Sequence, residues 1–447
     1  MSSRLRALTL DLGPVDPGAG GTHFPHGGLA GALEHPDALC WIRRGEGHVG
    51  FGDAARFTAK GPDRFIEAEA WWKQLLLDAD VEDEVRHPGT GPLAFGSFAF
   101  SRISAYESRL IVPELVVGVR EGRAWATQLT ADGSRPTRES LRAAVGHWTA
   151  PRSAAGSSSA GKPGAANGTH LAVRPGSLGE QRWMAAVASG VRHIRAGELE
   201  KLVLARDVVV EDDGGIPRAL VLRRLASAYR DCWVYGVDGL VGATPEMLIQ
   251  VEGRTAQARV LAGTLDRRDA DGAGPGYAER VLAGSPKQRH EHQIAIESLT
   301  TALEPFAEAL NAHDEPFILE LPNVFHLASD VKAELAEIEG HVPTPLALVN
   351  ALHPTAAVCG TPTQVAGELI RELEELDRGP YAGPVGWLDG AGNGEFGIAL
   401  RGGVIEGTTA ARLYAGCGIV DGSSPESELA ETWAKFRPML EALGVER

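Results

Sequence analysis

Residues Lys201 to Val210 read KLVLARDVVV, and the rest of the fold is best understood from this stretch. With the side-chain period of two that a strand imposes, Lys201, Val203 and Ala205 share one face and two leucines share the other. The pattern predicts a strand covered on both faces, with one ammonium group where it begins. Such a lysine is either an edge residue that reaches solvent or a group held at low dielectric, where it can act as a base. The strand alone favours the edge residue, and the remaining motifs favour the base.

The composition excludes several classes of partner. The 447 residues include 43 Lys and Arg against 59 Asp and Glu, a formal net charge of −16, and 43% of them are hydrophobic. We therefore expect a well-filled core and no binding to nucleic acid or to an anionic membrane surface. No stretch of about 18 apolar residues could span a bilayer. An anionic small molecule could bind only where local cations or a metal ion offset the negative charge.

The cysteines and the first residues predict a cytoplasmic protein. Cys40, Cys232, Cys359 and Cys417 lie far apart, without the spacing of a disulfide framework. The segment MSSRLRALTLDLG lacks the apolar run of a secretory signal peptide. We expect reduced thiols and a reducing compartment.

Alternating strands and helices predict a layered α/β (α+β) fold, with large β-sheets covered by helices. Residues 1–150 show short strands bounded by Gly and Pro without a catalytic constellation, so we interpret them as scaffold. Residues 151–169, PRSAAGSSSAGKPGAANGT, predict a flexible linker or loop because they cannot bury enough apolar surface to order themselves. Residues 170–447 carry the chemical motifs and are predicted to be the catalytic region.

Capping residues predict where helices begin in the catalytic region. Ser177 and Glu180 have the spacing of a capping box. Ser285, followed by Pro286, is a second start signal. The apolar stripe after this second start predicts a helix that continues to Leu310.

Ten motifs occur together in the catalytic region. In chain order they are EKLVLARDV, GATPEMLI, VLAGTLDR, KQRHEHQ, VFHLASDV, LHPTAAVCGTP, YAGPVGWLD, GEFGIALR, AGCGIV and SSPESELAETWAKF. The set resembles that of the chorismate-utilising enzymes, and of the isochorismate synthases among them, over residues 177–440. The resemblance implies the family's layered fold with a buried site between two sheets, chorismate as substrate and Mg²⁺ as cofactor. It also implies transfer of a hydroxyl group from C4 of chorismate to C2.

Such a transfer needs a base that activates water and an acid that protonates the departing oxygen. By resemblance, Lys201 is the base and Glu246, in ATPE, is the acid. The acid needs a raised pKa, which burial would give to the glutamate carboxyl. Taken alone, a glutamate after a proline is more typical of a solvated turn.

Three glutamates are the candidate metal ligands. Glu428 and Glu431 are spaced i, i+3 on a helix predicted to begin at Ser424, and Glu291 lies in the second turn of its own capped helix. The resemblance implies that Glu291 and Glu431 bind Mg²⁺, with Glu428 close or bonded through water, and oxygen ligands suit this ion. The alternative is that they are ordinary exposed glutamates. Gln288 stands where many relatives carry an acidic residue, so the metal shell is expected to have one charge fewer.

The remaining candidates are substrate-binding residues. Arg401 has a planar fork that can pair with a carboxylate, although a surface arginine at a strand end is the alternative. Gly416 and Gly418 would let backbone N–H groups approach an anion. The resemblance adds further lining residues, which are Gly263, Thr264, His326, Tyr381 and Lys435. For the histidine in this set, a hydrogen-bonded core position is the alternative.

Three features favour an isochorismate synthase over its relatives. Lys201 is present, whereas anthranilate synthases lack a base lysine there. Ala262 stands in LAGT, where aminodeoxychorismate synthases have a lysine that forms a covalent intermediate. LHPTAAVCGTP resembles the isochorismate synthases more than the salicylate synthases. Neither Cys359 nor Cys417 lies in a glutaminase nucleophile motif, so we expect a monomer without a glutamine amidotransferase subunit.

Two alternatives stay open. A salicylate synthase would go on to eliminate pyruvate from isochorismate. A non-catalytic homologue would bind chorismate without turnover, although the intact Lys201 and Glu246 argue against it. Menaquinone and siderophore biosynthesis both use isochorismate, so the sequence favours neither.

Overall fold

The computed structural model describes residues 4–15, 27–149, 171–270, 274, 276–312 and 315–445. The predicted linker, residues 151–169, lies outside these ranges. Within them, no helix combines the length and apolarity that a bilayer span requires.

Regular elements fill most of the described chain. Before residue 150 they are β1 (Arg6–Pro14), α1 (Gly28–Ala32), β2 (Leu39–Arg43), β3 (Glu46–Phe51), β4 (Ala55–Ala59), α2 (Arg64–Leu76), β5 (Asp80–Asp83), β6 (Leu93–Ser97), β7 (Ser108–Val112), β8 (Leu115–Arg120), β9 (Arg123–Thr130) and α3 (Arg138–Thr149). From residue 171 to the short helix after α8 they are β10 (Ala172–Pro175), α4 (Glu180–Arg195), β11 (Lys201–Glu211), α5 (Arg218–Ala228), β12 (Trp233–Val237), β13 (Leu240–Thr244), β14 (Met247–Glu252), β15 (Thr255–Asp266), α6 (Arg267–Ala270), α7 (Tyr277–Leu282), α8 (Pro286–Leu303) and a 3₁₀ helix (Glu304–Phe306). The last elements are β16 (Ala307–Ala312), β17 (Phe317–Glu320), β18 (Val324–Leu335), α9 (Pro345–Leu352), β19 (Gly360–Thr361), α10 (Thr363–Glu374), β20 (Pro384–Asp389), β21 (Gly394–Ile398), β22 (Gly402–Glu406), β23 (Ala410–Ile419) and α11 (Pro425–Leu443).

The strands form two large sheets. The larger, of 13 strands, has the order β10-β11-β23-β22-β13-β12-β2-β3-β8-β9-β1-β5, with β19 also paired to β11. The smaller, of 10 strands, has the order β16-β18-β15-β14-β21-β20-β6-β7-β4, with β17 also paired to β18. The β2–β12 and β6–β20 pairs join strands from before residue 150 to strands of the catalytic region. The first 150 residues therefore extend both sheets, and the predicted layered α/β fold is confirmed.

Two apolar clusters hold these layers together. One connects the sheets and includes Trp41 of the larger sheet with Phe95 and Phe396 of the smaller. The other lies where α5 and α11 cover the larger sheet and includes Leu222 and Phe436. Full burial of one such side chain contributes about 1.5–3 kcal/mol, so these clusters are the main source of stability.

Strand β11 is covered on both faces, as its sequence predicts. Its first eight residues are all buried. It pairs with β23 along its length and with β10 and β19 near its ends. On one face, Trp183 of α4 donates a hydrogen bond from Nε1 to the Ala205 carbonyl at 3.1 Å. Lys201 at the start of the strand is 1% exposed, so the edge-residue alternative is wrong.

Two of the local helix predictions are wrong. Helix α4 begins at Glu180 with Gly179 as its N-cap, and no side chain caps it. Ser177 instead donates its backbone N–H to the Asp207 carboxylate at 2.7 Å, so it is not a cap. Helix α8 ends at Leu303 rather than Leu310, and a 3₁₀ helix that contains Pro305 follows it. Proline lacks a backbone N–H and so disfavours continuation of an α-helix.

The predicted start positions of helices α8 and α11 agree with the structure. The hydroxyl of Ser285 accepts a hydrogen bond from the Gln288 backbone N–H at 3.4 Å, which caps α8. Ser424 caps α11 in the same way by accepting the Ser427 N–H at 3.2 Å. These two caps fix the first turns of the helices that carry the candidate metal ligands.

Candidate active site

A cavity lies between the two sheets, where β11 and β23 of the larger sheet face β15 and β18 of the smaller. Helices α8 and α11 complete its wall. Most of the predicted site residues line it, namely Glu246, Gly263, Thr264, Glu291, His326, Tyr381, Arg401, Gly416, Gly418, Glu431 and Lys435. Lys201 lies directly behind this lining, and Glu428 is buried one turn before Glu431 on α11 without lining the cavity.

Lys201 is held in the wall by an ion pair. Its Nζ lies 3.2 Å from Oε1 of Glu291, which lies in the second turn of α8. A Cβ at Gly418 would come within 2.2 Å of Glu291 Oε1 and 3.1 Å of Lys201 Cε. Gly418 therefore makes room for the ion pair. From the sequence, we predicted another reason for this glycine, namely that its backbone N–H could approach an anion.

Glu246 is buried, so the solvated-turn alternative is wrong. It is 5% exposed and lies in the turn between β13 and β14, where its backbone N–H donates to Thr244 Oγ1 at 3.2 Å. Burial raises the pKa of its carboxyl to about 8, although Lys201 and two other nearby cations oppose the rise. At neutral pH the carboxyl is mostly protonated, which suits a proton donor.

The predicted metal ligands supply carboxylates from two helices. Glu431 Oε1 lies 2.5 Å from Lys435 Nζ, so it is paired with a lysine just as Glu291 is. Across the described ranges, no three His, Cys, Asp or Glu side chains converge closely enough to hold an ion by themselves. Mg²⁺ in enzymes is usually bound by one or two carboxylates, with substrate and water completing its shell. Glu291 and Glu431 fit that arrangement and do not form a closed protein cage.

Arg401 is buried, and within the described chain part of its hydrogen-bonding capacity is unused. It precedes β22 in the left-handed conformation, with φ of 51°, and is 7% exposed. Its Nη2 lies 2.8 Å from Nε2 of His326, whose Nδ1 lies 3.2 Å from the Gly263 carbonyl. Burial and the arginine charge hold the pKa of His326 well below its usual value, so the ring is neutral and accepts from Arg401. Among the residues that the structure describes, Arg401 Nη1 has no hydrogen-bond partner, which leaves it available to a carboxylate.

His326 therefore combines both of its predicted roles. It is a hydrogen-bonded buried histidine, and it also lines the cavity. By accepting from Nη2, it fixes the guanidinium plane of Arg401.

Glycine positions shape two other parts of the wall. Gly263 has φ of 85°, and a Cβ there would lie 2.6 Å from the Gln288 side-chain oxygen. The carbonyl of Gly416 accepts from Lys435 Nζ at 2.8 Å, and a Cβ at Gly416 would lie 3.3 Å from the Tyr381 hydroxyl. Both glycines thus let neighbouring polar groups approach the cavity.

The sequence model of a family described as chorismate binding enzyme matches residues 37–444. The chain belongs to that family. The salicylate biosynthesis isochorismate synthase of Pseudomonas aeruginosa is 33% identical over 460 residues, which cover 98% of this chain and 90% of the relative. The isochorismate synthase MenF of Bacillus subtilis is 31% identical over 423 residues, which cover 89% of this chain and 86% of the relative. The solved structure of the menaquinone-specific isochorismate synthase MenF from Escherichia coli has the same fold, with a TM-score of 0.74 at 22% identity over 100% of this chain and 95% of that one.

Sequence reasoning missed several residues of this chorismate-binding enzyme's cavity. Tyr414 stacks on Tyr381, with ring centroids 5.2 Å apart, and Arg378 and Val358 also line the wall. Tyr235 lies just outside, fully buried, and its hydroxyl donates to the Leu400 carbonyl at 3.0 Å. Arg378 and Val358 lie within or beside motifs already recognised, so proximity to a motif was a usable signal. Tyr235 lies in an apolar strand outside the ten motifs, and no signal in the sequence indicates that it lies beside the cavity.

Proposed function

We propose that this chorismate-binding enzyme is an isochorismate synthase, which uses Mg²⁺ to convert chorismate to isochorismate. The observation that carries the proposal is the buried Glu246 carboxyl, with its pKa near 8, in a cavity that has Lys201 directly behind its lining, paired with Glu291. A neutral carboxylic acid that lines the cavity and a lysine just behind the lining are the pair that we assign to hydroxyl transfer. The relatives named isochorismate synthase support the same reaction.

In the proposed reaction, the Lys201 ammonium first loses a proton to solvent. The neutral amine then takes a proton from a water molecule as the water oxygen bonds to C2 of the ring. The ring double bonds shift, the C4–O bond breaks, and Glu246 protonates the departing hydroxyl, which leaves as water. One water is consumed and one is released, so the reaction is an isomerisation. Lys201 ends with one proton more and Glu246 with one fewer, and exchange with solvent restores both.

The substrate carries two carboxylates into an acidic protein, so the proposal must supply compensating charge. The free Nη1 of Arg401 is assigned to one carboxylate. Mg²⁺, bound by Glu291 and Glu431, would hold a substrate carboxylate and offset its charge. Glu428 lies one turn away on α11 and would act on this ion through a bound water molecule.

Ala262 also lines the cavity, where aminodeoxychorismate synthases would present a lysine nucleophile. The nucleophile in the proposed reaction is water, so the reaction needs neither ammonia nor an amidotransferase subunit, and we propose a cytoplasmic monomer. Relatives are named for menaquinone and for vibriobactin, so we propose that the product supplies a quinone or a siderophore route.

We expect Tyr235→Phe to raise KM for chorismate about 2- to 10-fold while kcat changes little, since one net hydrogen bond is worth about 0.5–1.5 kcal/mol. The lost hydroxyl holds the Leu400 carbonyl, next to the left-handed backbone of Arg401. Steady-state kinetics would check this. Tyr229→Phe, which removes another tyrosine hydroxyl outside the cavity lining, is the control. An unchanged KM in Tyr235→Phe would contradict the assignment.

The pH dependence of kcat/KM follows from the raised pKa of Glu246 in the free protein. Below about pH 8 the carboxyl is protonated and can act as the acid, and above it the acid form is lost tenfold per pH unit. We therefore expect kcat/KM to fall above about pH 8. The residual activity of Glu246→Gln should lack this fall. A wild-type kcat/KM that stays level to about pH 9.5 would show that Glu246 is not the acid.

We expect isochorismate to accumulate without stoichiometric pyruvate. Elimination of pyruvate requires the enolpyruvyl group to fold over C2, so it depends on the shape of the cavity. Ala357 and Val358, from the segment that differs from salicylate synthases, line that cavity. A lactate-dehydrogenase-coupled assay without added lyase measures the pyruvate. One pyruvate per chorismate would replace the proposal with the salicylate synthase alternative.

A further inference from the structure

Two buried arginines line the cavity, and they differ in how their donors are used. Arg401 Nη1 has no hydrogen-bond partner in the described part of the chain. Arg378, only 3% exposed, donates to the carbonyls of Val358 and Val203, each at 2.8 Å. It also donates from Nε and Nη2 to the Glu374 carboxylate, at 2.9 and 2.5 Å. Four of its five N–H groups are therefore committed to the protein, so Arg378 is poorly suited to bind a substrate carboxylate.

Glu374 extends this network to the strand that begins with Lys201. It is 1% exposed, and its Oε1 accepts the Ala205 backbone N–H at 2.7 Å. The pair thus bonds to β11 at Val203 and at Ala205, the two residues that follow Lys201 on the same face. A further bond runs from the Val203 N–H to the Cys359 carbonyl at 2.9 Å.

The groups joined by this pair are two neighbouring parts of the cavity wall. Val203 belongs to β11, and Val358 belongs to the segment between α9 and β19. Both line the cavity, and one guanidinium bonds to both of their carbonyls. The Phe100 ring, 4.3 Å from the Arg378 Cζ, packs on the guanidinium. A planar fork fixed in this way holds β11 and the Val358 segment in one relative position, which a lysine could not do.

We propose that Arg378, held by Glu374, is a positioning residue that fixes the Lys201 strand relative to the Val358 wall. This inference rests on the proposed function, because it assumes that the reaction depends on where Lys201 lies relative to the ring. Misplacement of a reacting group by about 1 Å can lower a rate about 10²-fold. Substrate affinity changes little, because the carboxylates are bound elsewhere.

The test compares Arg378→Lys with Arg401→Lys by the rate of chorismate consumption. For Arg378→Lys we expect kcat to fall about 10- to 100-fold, with KM within about threefold of wild type. For Arg401→Lys we expect mainly a higher KM. A higher KM with normal kcat in Arg378→Lys would show that it binds substrate, and unchanged constants would show that it positions nothing. Either result overturns the proposal.

Removing one partner of a buried ion pair can prevent folding, so a milder variant accompanies the first. Glu374→Gln keeps the side-chain oxygen that accepts from Ala205 but removes the charge that holds Arg378. We expect a smaller fall in kcat, again without a matching rise in KM, in a protein whose thermal unfolding remains cooperative. A folded Glu374→Gln with wild-type kcat would overturn the proposal. Because chorismate consumption is measured, a wild-type enzyme that forms another product would contradict the proposed function and leave this comparison intact.

Discussion

Removal of divalent ions by exhaustive chelation is expected to abolish turnover of chorismate, and added Mg²⁺ is expected to restore it. The protein has a formal net charge of −16, and the substrate brings two more negative charges. Lys201 and Lys435, which could offset them, are each paired with a glutamate of the cavity. Without a metal ion, substrate binding would leave uncompensated negative charge in a buried site.

The ligand assignment can be tested separately from chelation. Glu431→Gln keeps the shape of the side chain and removes its charge, and we expect kcat to fall about 10²-fold or more at limiting Mg²⁺, since a bound ion contributes several kcal/mol to such reactions. Glu426→Gln, at an exposed position in the first turn of the same helix, is the matched control and should behave as wild type. Full activity after chelation would contradict the requirement for a metal ion, and normal Mg²⁺ dependence in Glu431→Gln would contradict the assigned ligand.

Lys201→Ala is expected to lower kcat by about 10²–10⁴-fold, the usual effect of removing a positioned acid or base. Glu246→Gln should lose a similar factor, while KM changes much less in both variants. Lys332→Ala, which removes an exposed lysine from β18, is the control for loss of a strand lysine. Near-normal turnover by Lys201→Ala would mean that the buried lysine serves the structure through Glu291 and that another group is the base.

The resemblance of ten ordered motifs to the chorismate-utilising enzymes was enough to predict most of the residues that meet in the cavity. Local patterns then predicted several of the strands and helices that carry them. Lys201 begins β11, and Glu291 follows the Ser285 cap that the sequence marks clearly. Local patterns of this kind are set by strand periodicity and capping, which depend on near neighbours in the chain. The fold class followed from the same patterns.

The features that the sequence could not supply depend on contacts between distant residues. Ser177 matched a capping box, but Asp207, thirty positions away, competes for its N–H. Taken alone, Glu246 looked like a solvated turn residue. Packing between the two sheets buries this turn and raises the pKa of the Glu246 carboxyl. Tyr235 and Arg378 act by bonding to backbone carbonyls more than 150 residues away, at Leu400 and Val203 respectively. No local pattern distinguishes such residues from ordinary core residues.

The central claim, that Lys201 and Glu246 exchange a solvent water for the C4 hydroxyl, is tested most directly by the origin of the oxygen at C2. Chorismate would be incubated with the enzyme and Mg²⁺ in water enriched in oxygen-18, and the product analysed at early times by mass spectrometry and NMR. We predict isochorismate that carries one heavy oxygen, located at C2. Isochorismate without the label would show that the hydroxyl migrates within the substrate, and the absence of isochorismate would contradict the account as a whole.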